Sequence, residues 1–303
     1  MLQKKNKNLS LIVCTYNREK VLGKCLDHLT KQEDLDFELV LVNNKSTDNT
    51  DSLIRNFMNK YSHLTVKYFI ENNQGLSYAR NRGINEASGE YLVFLDDDAF
   101  AFPDYTRNFK NFIEKHPEFH AGGGKILPCW ESGQPQWMSK YLLSIVSLLD
   151  LGDSVKLFTG RSYPIGANMI IEKKLFDRLG LFNVQLGRKG GNLEGAEEKD
   201  FFLRTKGAGI PVYYIPNLVV EHWVPDSRLT REFFTKQALA IGYSEKIRAK
   251  NISSVEYLKS CLRELFKWGA TGILFVGYIL SGSYKKGAKL VEFRWKISKG
   301  LLF

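Results

Sequence analysis

The sequence predicts an α/β fold, a mainly parallel sheet flanked by helices with a helical appendage at the C-terminal end. Three observations predict it. Four short apolar runs of the buried-strand type occur before residue 96, and the segments between them carry apolar residues at helical spacing. Strands that alternate with helices in this way build a parallel sheet covered on both faces. The net charge of +10 over 303 residues is uneven: residues 226–303 hold 15 Lys or Arg against 6 Asp or Glu, so nine of the ten net charges lie there. The expected organisation is therefore an α/β body over 1–225 and a basic, amphipathic helical tail over 226–303.

The first strand is read at 9–15, and the helix after it sets Val21, Leu22, Cys25, Leu26 and Leu29 on one face. A second strand, 37–42, stops at Asn43-Asn44-Lys45-Ser46-Thr47-Asp48. There Thr47 or Asp48 is expected to cap a helix carrying Leu53, Ile54, Phe57, Met58 and Tyr61. The third strand is 66–70, followed by the loop 71–75 and a helix presenting Leu76, Ala79, Gly83, Ile84 and Ala87. The fourth is 91–95. In such sheets ligands collect in the crevice outside the carboxyl ends of the strands, which places Thr15 to Asn17, Asn43 to Ser46 and Asp96 to Asp98 around one site. No Gly-x-Gly-x-x-Gly follows the first strand and no Gly-Lys-Ser/Thr loop occurs, so neither a dinucleotide fold nor a P-loop is supported.

Asp96, Asp97 and Asp98 end an apolar strand on three consecutive carboxylates. A hard divalent cation such as Mg²⁺ or Mn²⁺ takes oxygen ligands of this kind, usually with the phosphates of a substrate. Taken alone the triplet also fits a solvated acidic turn.

The ordered set Ile12-Val13-Cys14-Thr15-Tyr16-Asn17, Val42 to Asp48, Asn73-x-Gly75 leading to Ala79-Arg80-Asn81, and Gly89-Glu90-Tyr91 running into Asp96-Asp97-Asp98 resembles the inverting family-2 glycosyltransferases of the GT-A fold. The likeness continues through Gly166-Ala167-Asn168-Met169, the acidic stretch Glu197-Glu198-Lys199-Asp200, and Tyr214-Ile215-Pro216-Asn217 followed by Val219-Val220-Glu221-His222. Each string is weak alone and the ordered series is specific. The resemblance implies a nucleotide diphosphate sugar as donor and Mn²⁺ or Mg²⁺ as cofactor. Asp98 is then the direct metal ligand, with His222 as a further one and Asp96 nearer the ribose and the metal's waters. Thr15, Tyr16, Asn17, Asn43, Arg80 and Asp97 join Asp96 on the nucleotide side, with Tyr16 at the base. For Arg80 a phosphate contact and a plain helix-surface cation fit equally.

Inversion is a single displacement and needs one general base on the acceptor hydroxyl. The motif's position for that base is Glu198, where the family usually has Asp, and Glu197 is the alternative. Both also suit a helix N-terminus, which favours carboxylates. Asn43 stands where the family commonly has Asp. Its amide oxygen can still accept from a base imide, so uridine or thymidine diphosphate is expected ahead of guanosine. Gly187-Arg188-Lys189-Gly190-Gly191-Asn192 reads as a lid, and Trp130, Trp137 and Tyr141 as an aromatic platform for an acceptor or as core.

The tail begins with Phe233, Phe234, Ala238 and Ile241, then Val255, Leu258, Leu262, Leu265 and Phe266 behind a Ser253-x-x-Glu256 capping box. An apolar run over 268–280 follows, shorter than the roughly 20 residues that span a bilayer. Lys285, Lys286, Lys289, Arg294, Lys296 and Lys299 come after it. Such a tail fits either a helix lying on an anionic membrane surface or helices packed with a solvated basic face. The cysteines Cys14, Cys25, Cys129 and Cys261 have no metal-type spacing, and with no signal peptide apparent they read as reduced thiols of a cytoplasmic protein at the inner face of the membrane. A glycan or lipid-linked acceptor is expected. A catalytically silent sugar-nucleotide or glycan binder is the second reading, resting on Glu198 and Asn43. Nucleic acid is not expected as a partner, because no recognition motif accompanies the charge.

Overall fold

All four apolar runs form strands in the computed structural model, which describes residues 9–190, 193 and 195–303. β1 (Leu9–Thr15), β2 (Glu38–Asn43), β3 (Thr65–Ile70) and β4 (Tyr91–Asp96) lie parallel in the order β3-β2-β1-β4. β1, β2 and β4 are buried along nearly their whole length, which is why their sequences read as continuous rather than alternating apolar runs. β3 is the half-exposed edge and carries Lys67, a charge of the kind that discourages further pairing. The crossovers are α1 (Leu22–Thr30), α2 (Thr50–Lys60) and α3 (Leu76–Glu86). Cys14 pairs with Asp96 and Thr15 with Asn43, so three strand ends finish at one level.

One boundary differs from expectation. α2 begins at Thr50 with Asn49 as its N-cap residue, rather than being capped by Thr47 or Asp48 as the flank. The cause is the neighbouring loop: the Thr47 N–H donates to Asn17 Oδ1 at 2.8 Å, and Asp48 accepts from the Glu19 N–H at 3.1 Å. Asp48 still serves the first turn, accepting the Thr50 N–H at 3.1 Å.

Beyond β4 the chain adds β5 (Ala99–Ala101), α4 (Tyr105–Lys115), β6 (Ala121–Trp130), β7 (Lys156–Leu157), β8 (Met169–Glu172), α5 (Lys174–Leu179), α6 (Glu197–Gly207) and β9 (Val212–Val224). The full order is β3-β2-β1-β4-β8-β6-β9-β5, with β7 on β9. The pairs β4 with β8, β6 with β8 and β5 with β9 are antiparallel, so the parallel half ends at β4. Gly122 and Gly124 of β6 have no room for a side chain: a Cβ there would overlap the carbonyls of Tyr213 and Leu218 of β9.

The tail is three helices, α7 (Arg231–Ile252), α8 (Ser254–Leu280) and α9 (Tyr284–Leu302). α7 and α9 meet at glycines, since a Cβ on Gly242 would strike the Ile297 carbonyl and one on Gly300 the Leu239 carbonyl. Ser253 caps α8, its hydroxyl accepting the Glu256 N–H at 3.1 Å. The Glu256 carboxylate instead accepts from Arg248 at 3.3 Å and Arg263 at 2.8 Å. Trp137 packs edge-on to Phe234 of α7 at 5.7 Å, with the Lys289 ammonium 3.8 Å above the Phe234 ring. No helix of the described residues is long and apolar enough to cross a membrane.

The chain divides into two compact units. One runs up to Pro128 and includes Leu149–Val184 and Glu198–Trp223; the other comprises Cys129–Leu148, Gln185–Glu197 and Val224–Phe303. Of the expected lid, Gly187 and Gly190 adopt positive φ, while Gly191 and Asn192, like Glu194 before the acidic stretch, lie outside the described residues.

Candidate active site

The loops after β1 and β2 are laced together. The Asn17 N–H donates to Ser46 Oγ at 2.9 Å while Asn17 Oδ1 accepts from Thr47, and Asn17 itself sits at φ 53°. A non-glycine residue held in the left-handed region costs free energy that the surrounding bonds must offset, and such positions gather at functional sites. Asn43 is buried: its Oδ1 accepts the Ser46 N–H at 2.9 Å and its Nδ2 donates to the Tyr68 hydroxyl at 3.0 Å. Tyr68 in turn donates to Asp51 at 2.5 Å. Asn44, placed at the site by the sequence but given no role of its own there, ties the end of β2 to the loop before α3, donating to the Glu71 and Asn73 carbonyls and accepting the Gly75 N–H at 2.7 Å. The doubled Asn after an apolar strand was its signal. Thr15 is buried at the end of β1, and Tyr16 is partly buried beside it.

At the end of β4 the three carboxylates separate by environment. Asp96 is partly exposed, whereas Asp97 and Asp98 are buried. β9 brings His222 to them: Ala99 pairs with His222 across β5 and β9, and the Trp223 N–H donates to the Asp98 carbonyl at 2.9 Å. His222 Nε2 therefore lies 3.0 Å from Asp98 Oδ1, with His222 only 1% and Asp98 2% exposed. Ligand atoms of Asp96, Asp98 and His222 all fall within 4.8 Å of one another. Two carboxylates and an imidazole at that spacing fit a divalent cation such as Mn²⁺ or Mg²⁺, the rest of its shell being left for phosphate and water.

Arg18 is a further residue of the site that sequence reasoning missed. Its guanidinium is 3.4 Å from both Asp97 and Asp98. Burial pushes the Asp97 carboxyl well above the usual carboxylate range, Arg18 pulling against it and Asp98 adding to it. The clue was a cation directly after Tyr16-Asn17 at the carboxyl end of the first strand. Burial also pushes the Cys14 thiol up to about 12 and raises that of Cys25, so neither is a reactive thiolate at neutral pH.

Arg80 is not a surface cation. It is 2% exposed on α3, with Nη2 3.4 Å from Asp96 and Nη1 3.5 Å from Glu198. The room for this is made by Gly166, where a Cβ would overlap the Arg80 guanidinium and come within 2.5 Å of Glu198 Oε1. The segment behind it is fixed by buried Asn168, which accepts the Tyr105 hydroxyl at 2.7 Å and donates to the Leu218 carbonyl at 2.8 Å. Glu198 is in the first turn of α6, while Glu197 begins that helix and is buried. Lys45, in the loop after β2, has φ 60°, a second left-handed residue at the site, and Ala196, just before the acidic pair, has φ 80°.

The model of glycosyl transferase family 2 matches residues 10–180. The chain belongs to that family. Among curated relatives it is 24% identical, over 242 residues, to the glucosyl-dolichyl phosphate glucuronosyltransferase of Haloferax volcanii, covering 79% of this chain and 76% of that one. It is 27% identical to the poly(ribitol-phosphate) beta-glucosyltransferase of Bacillus spizizenii over 69% of this chain and 34% of the relative, so it spans about a third of that longer protein. Among solved structures, the mannosyltransferase PcManGT from Pyrobaculum calidifontis in complex with GDP-Man and Mn²⁺ superposes with a TM-score of 0.62 at 18% identity, over 97% of this chain and 87% of that one. Staphylococcus aureus TarS 1-349 gives 0.52 at 20% identity over 97% and 89%. The family-2 chain thus has the GT-A fold, and it is a glycosyltransferase.

Proposed function

We propose that this family-2 enzyme transfers a sugar, with inversion and with help from Mn²⁺ or Mg²⁺, from a nucleotide diphosphate sugar to a hydroxyl of a glycan or lipid-linked acceptor. The observation that carries the reading is the convergence of Asp96, Asp98 and His222 within 4.8 Å, in a site where Arg80 touches both Asp96 and Glu198. When bound, the cation would neutralise charge on the departing diphosphate. Glu198 accepts the proton of the acceptor hydroxyl as that oxygen bonds the anomeric carbon and the carbon–phosphate-oxygen bond breaks. Arg80, fixed between Asp96 and Glu198, orients the base relative to the donor side. Thr15, Tyr16, Asn17, Asn43 and Asp97 line the nucleotide side, with a uridine or thymidine base ahead of guanosine.

The acceptor class is supported by the names of relatives, which include a glucosyl-dolichyl phosphate enzyme and a GalNAc(5)-diNAcBac-PP-undecaprenol beta-1,3-glucosyltransferase of Campylobacter jejuni. Surface polysaccharide synthesis at the cytoplasmic face of a membrane is the setting proposed, with residues 226–303 as the membrane-associated part. Thermal-shift screening against UDP-, dTDP- and GDP-sugars, each with Mn²⁺ or EDTA, tests the reading, because a ligand that binds only the native state raises Tm. No shift with any of them in the presence of Mn²⁺ overturns it.

A further inference from the structure

α8 is turned inside out relative to a helix of a globular core. Its buried side is polar: Ser260 donates to Glu245 at 2.8 Å, Glu264 accepts from Arg294 at 3.1 Å and from Ser298 at 3.1 Å, and Thr271 is buried. Its apolar side chains face out. Leu258, Leu262, Leu265, Phe266, Ile273 and Val276 are all exposed, Phe266 by 81% and Ile273 by 76%. At 3.6 residues per turn these six fall in a sector about 100° wide along one side of the helix. A continuous exposed patch of this kind marks an interaction surface.

Charge identifies the occupant. The exposed charged residues of α8 and α9 are Lys259, Lys267, Lys285 and Lys299, all cations. The three carboxylates of these helices are each paired with a cation: Glu256 with Arg248 and Arg263, Glu264 with Arg294, Glu292 with Lys289. A second copy docked on this face would set one cationic surface against another, whereas anionic lipid complements it. α8 has 27 residues, so it runs about 40 Å, yet it is not apolar enough to cross a membrane. A helix with one apolar and one polar face lies in the plane of the interface.

We infer that the outer face of α8, from Leu258 to Val276, is a membrane-docking surface that rests in the plane of an anionic lipid bilayer. This deepens the proposed function, which it assigns to a membrane surface, and it extends the contact. The sequence pointed to the run over 268–280 and the lysines after it; the structure adds the first half of α8.

The test is flotation of the full chain with phosphatidylglycerol and with phosphatidylcholine vesicles, without donor or acceptor, so that its outcome is separate from that of the sugar-nucleotide screen. Leu265→Asp with Ile273→Asp changes two exposed side chains, and an unchanged Tm and unchanged response to UDP with Mn²⁺ verify the fold. Expected are binding to phosphatidylglycerol vesicles, a loss of at least about tenfold in partitioning for the double variant, and a salt-sensitive weakening in Lys259→Glu with Lys267→Glu. Failure of the full chain to float with phosphatidylglycerol, or equal flotation of the double aspartate variant, overturns the inference. So does sedimentation showing a dimer that the double variant converts to monomer, because the face would then cover a second copy.

Discussion

Arg80 and Glu198 approach to 3.5 Å across Gly166, where a Cβ would displace one or the other. α3 supplies one partner and α6 the other, and the absent side chain of Gly166 is what lets them meet while Arg80 also reaches Asp96. Two carboxylates from different elements, the one proposed as the base and the one proposed on the donor side, are thereby held by one buried cation.

Gly166→Ala should therefore damage turnover more than stability. The added methyl displaces Arg80 or Glu198, and overpacking of this kind costs about 1–3 kcal/mol. A fall in kcat of about 10²-fold with a Tm change of a few degrees is expected from steady-state assays and thermal melts, a misplaced group being enough for that loss. Near-normal kcat would mean that the Arg80–Glu198 contact is dispensable.

Replacing Glu198 by Gln should lower kcat by roughly 10² or more and leave donor affinity within a few-fold, the scale of general-base catalysis. Titration calorimetry with UDP and a transfer assay separate binding from chemistry. If Glu197→Gln is the variant that loses turnover and Glu198→Gln is not, the base is Glu197.

Nucleotide diphosphate binding should depend on a divalent cation, and Asp98→Ala should abolish the difference between Mn²⁺ and EDTA. His222→Ala should weaken it. Equal affinity in Mn²⁺ and in EDTA for the unaltered chain removes the metal from the mechanism.

Glu38 predicts an acid limb of stability far from the site. Burial opposes its ionisation, but bonds from Lys67, Ser10 and Ser88 prevail and hold its carboxyl at about 2. A carboxylate depressed in the folded state stabilises fully above its unfolded pKa and loses that contribution as the pH falls through the folded value. Glu38→Gln should thus be less stable by on the order of 2 kcal/mol at neutral pH. The gap to the parent should close as the pH drops from about 4.5 towards 2, as read by urea melts. A gap independent of pH would show that packing, not charge, is lost.

The parallel half of the sheet and the carboxylates at the end of β4 were legible in the sequence because their signals are local: continuous apolar runs, helical spacing and polar strand ends. The family's ordered motifs marked His222 and Glu198 as well. What the sequence could not state is distance. Arg18 and Asp98 are 80 residues apart along the chain, and Arg80 stood equally well as a surface cation until α3 turned it inward against Asp96 and Glu198. The apolar spacing of α8 was visible too, but its direction was not. Periodicity fixes which residues share a face, and only the partners that bury the opposite side, here Glu245, Arg294 and Ser298, decide that the apolar face points out.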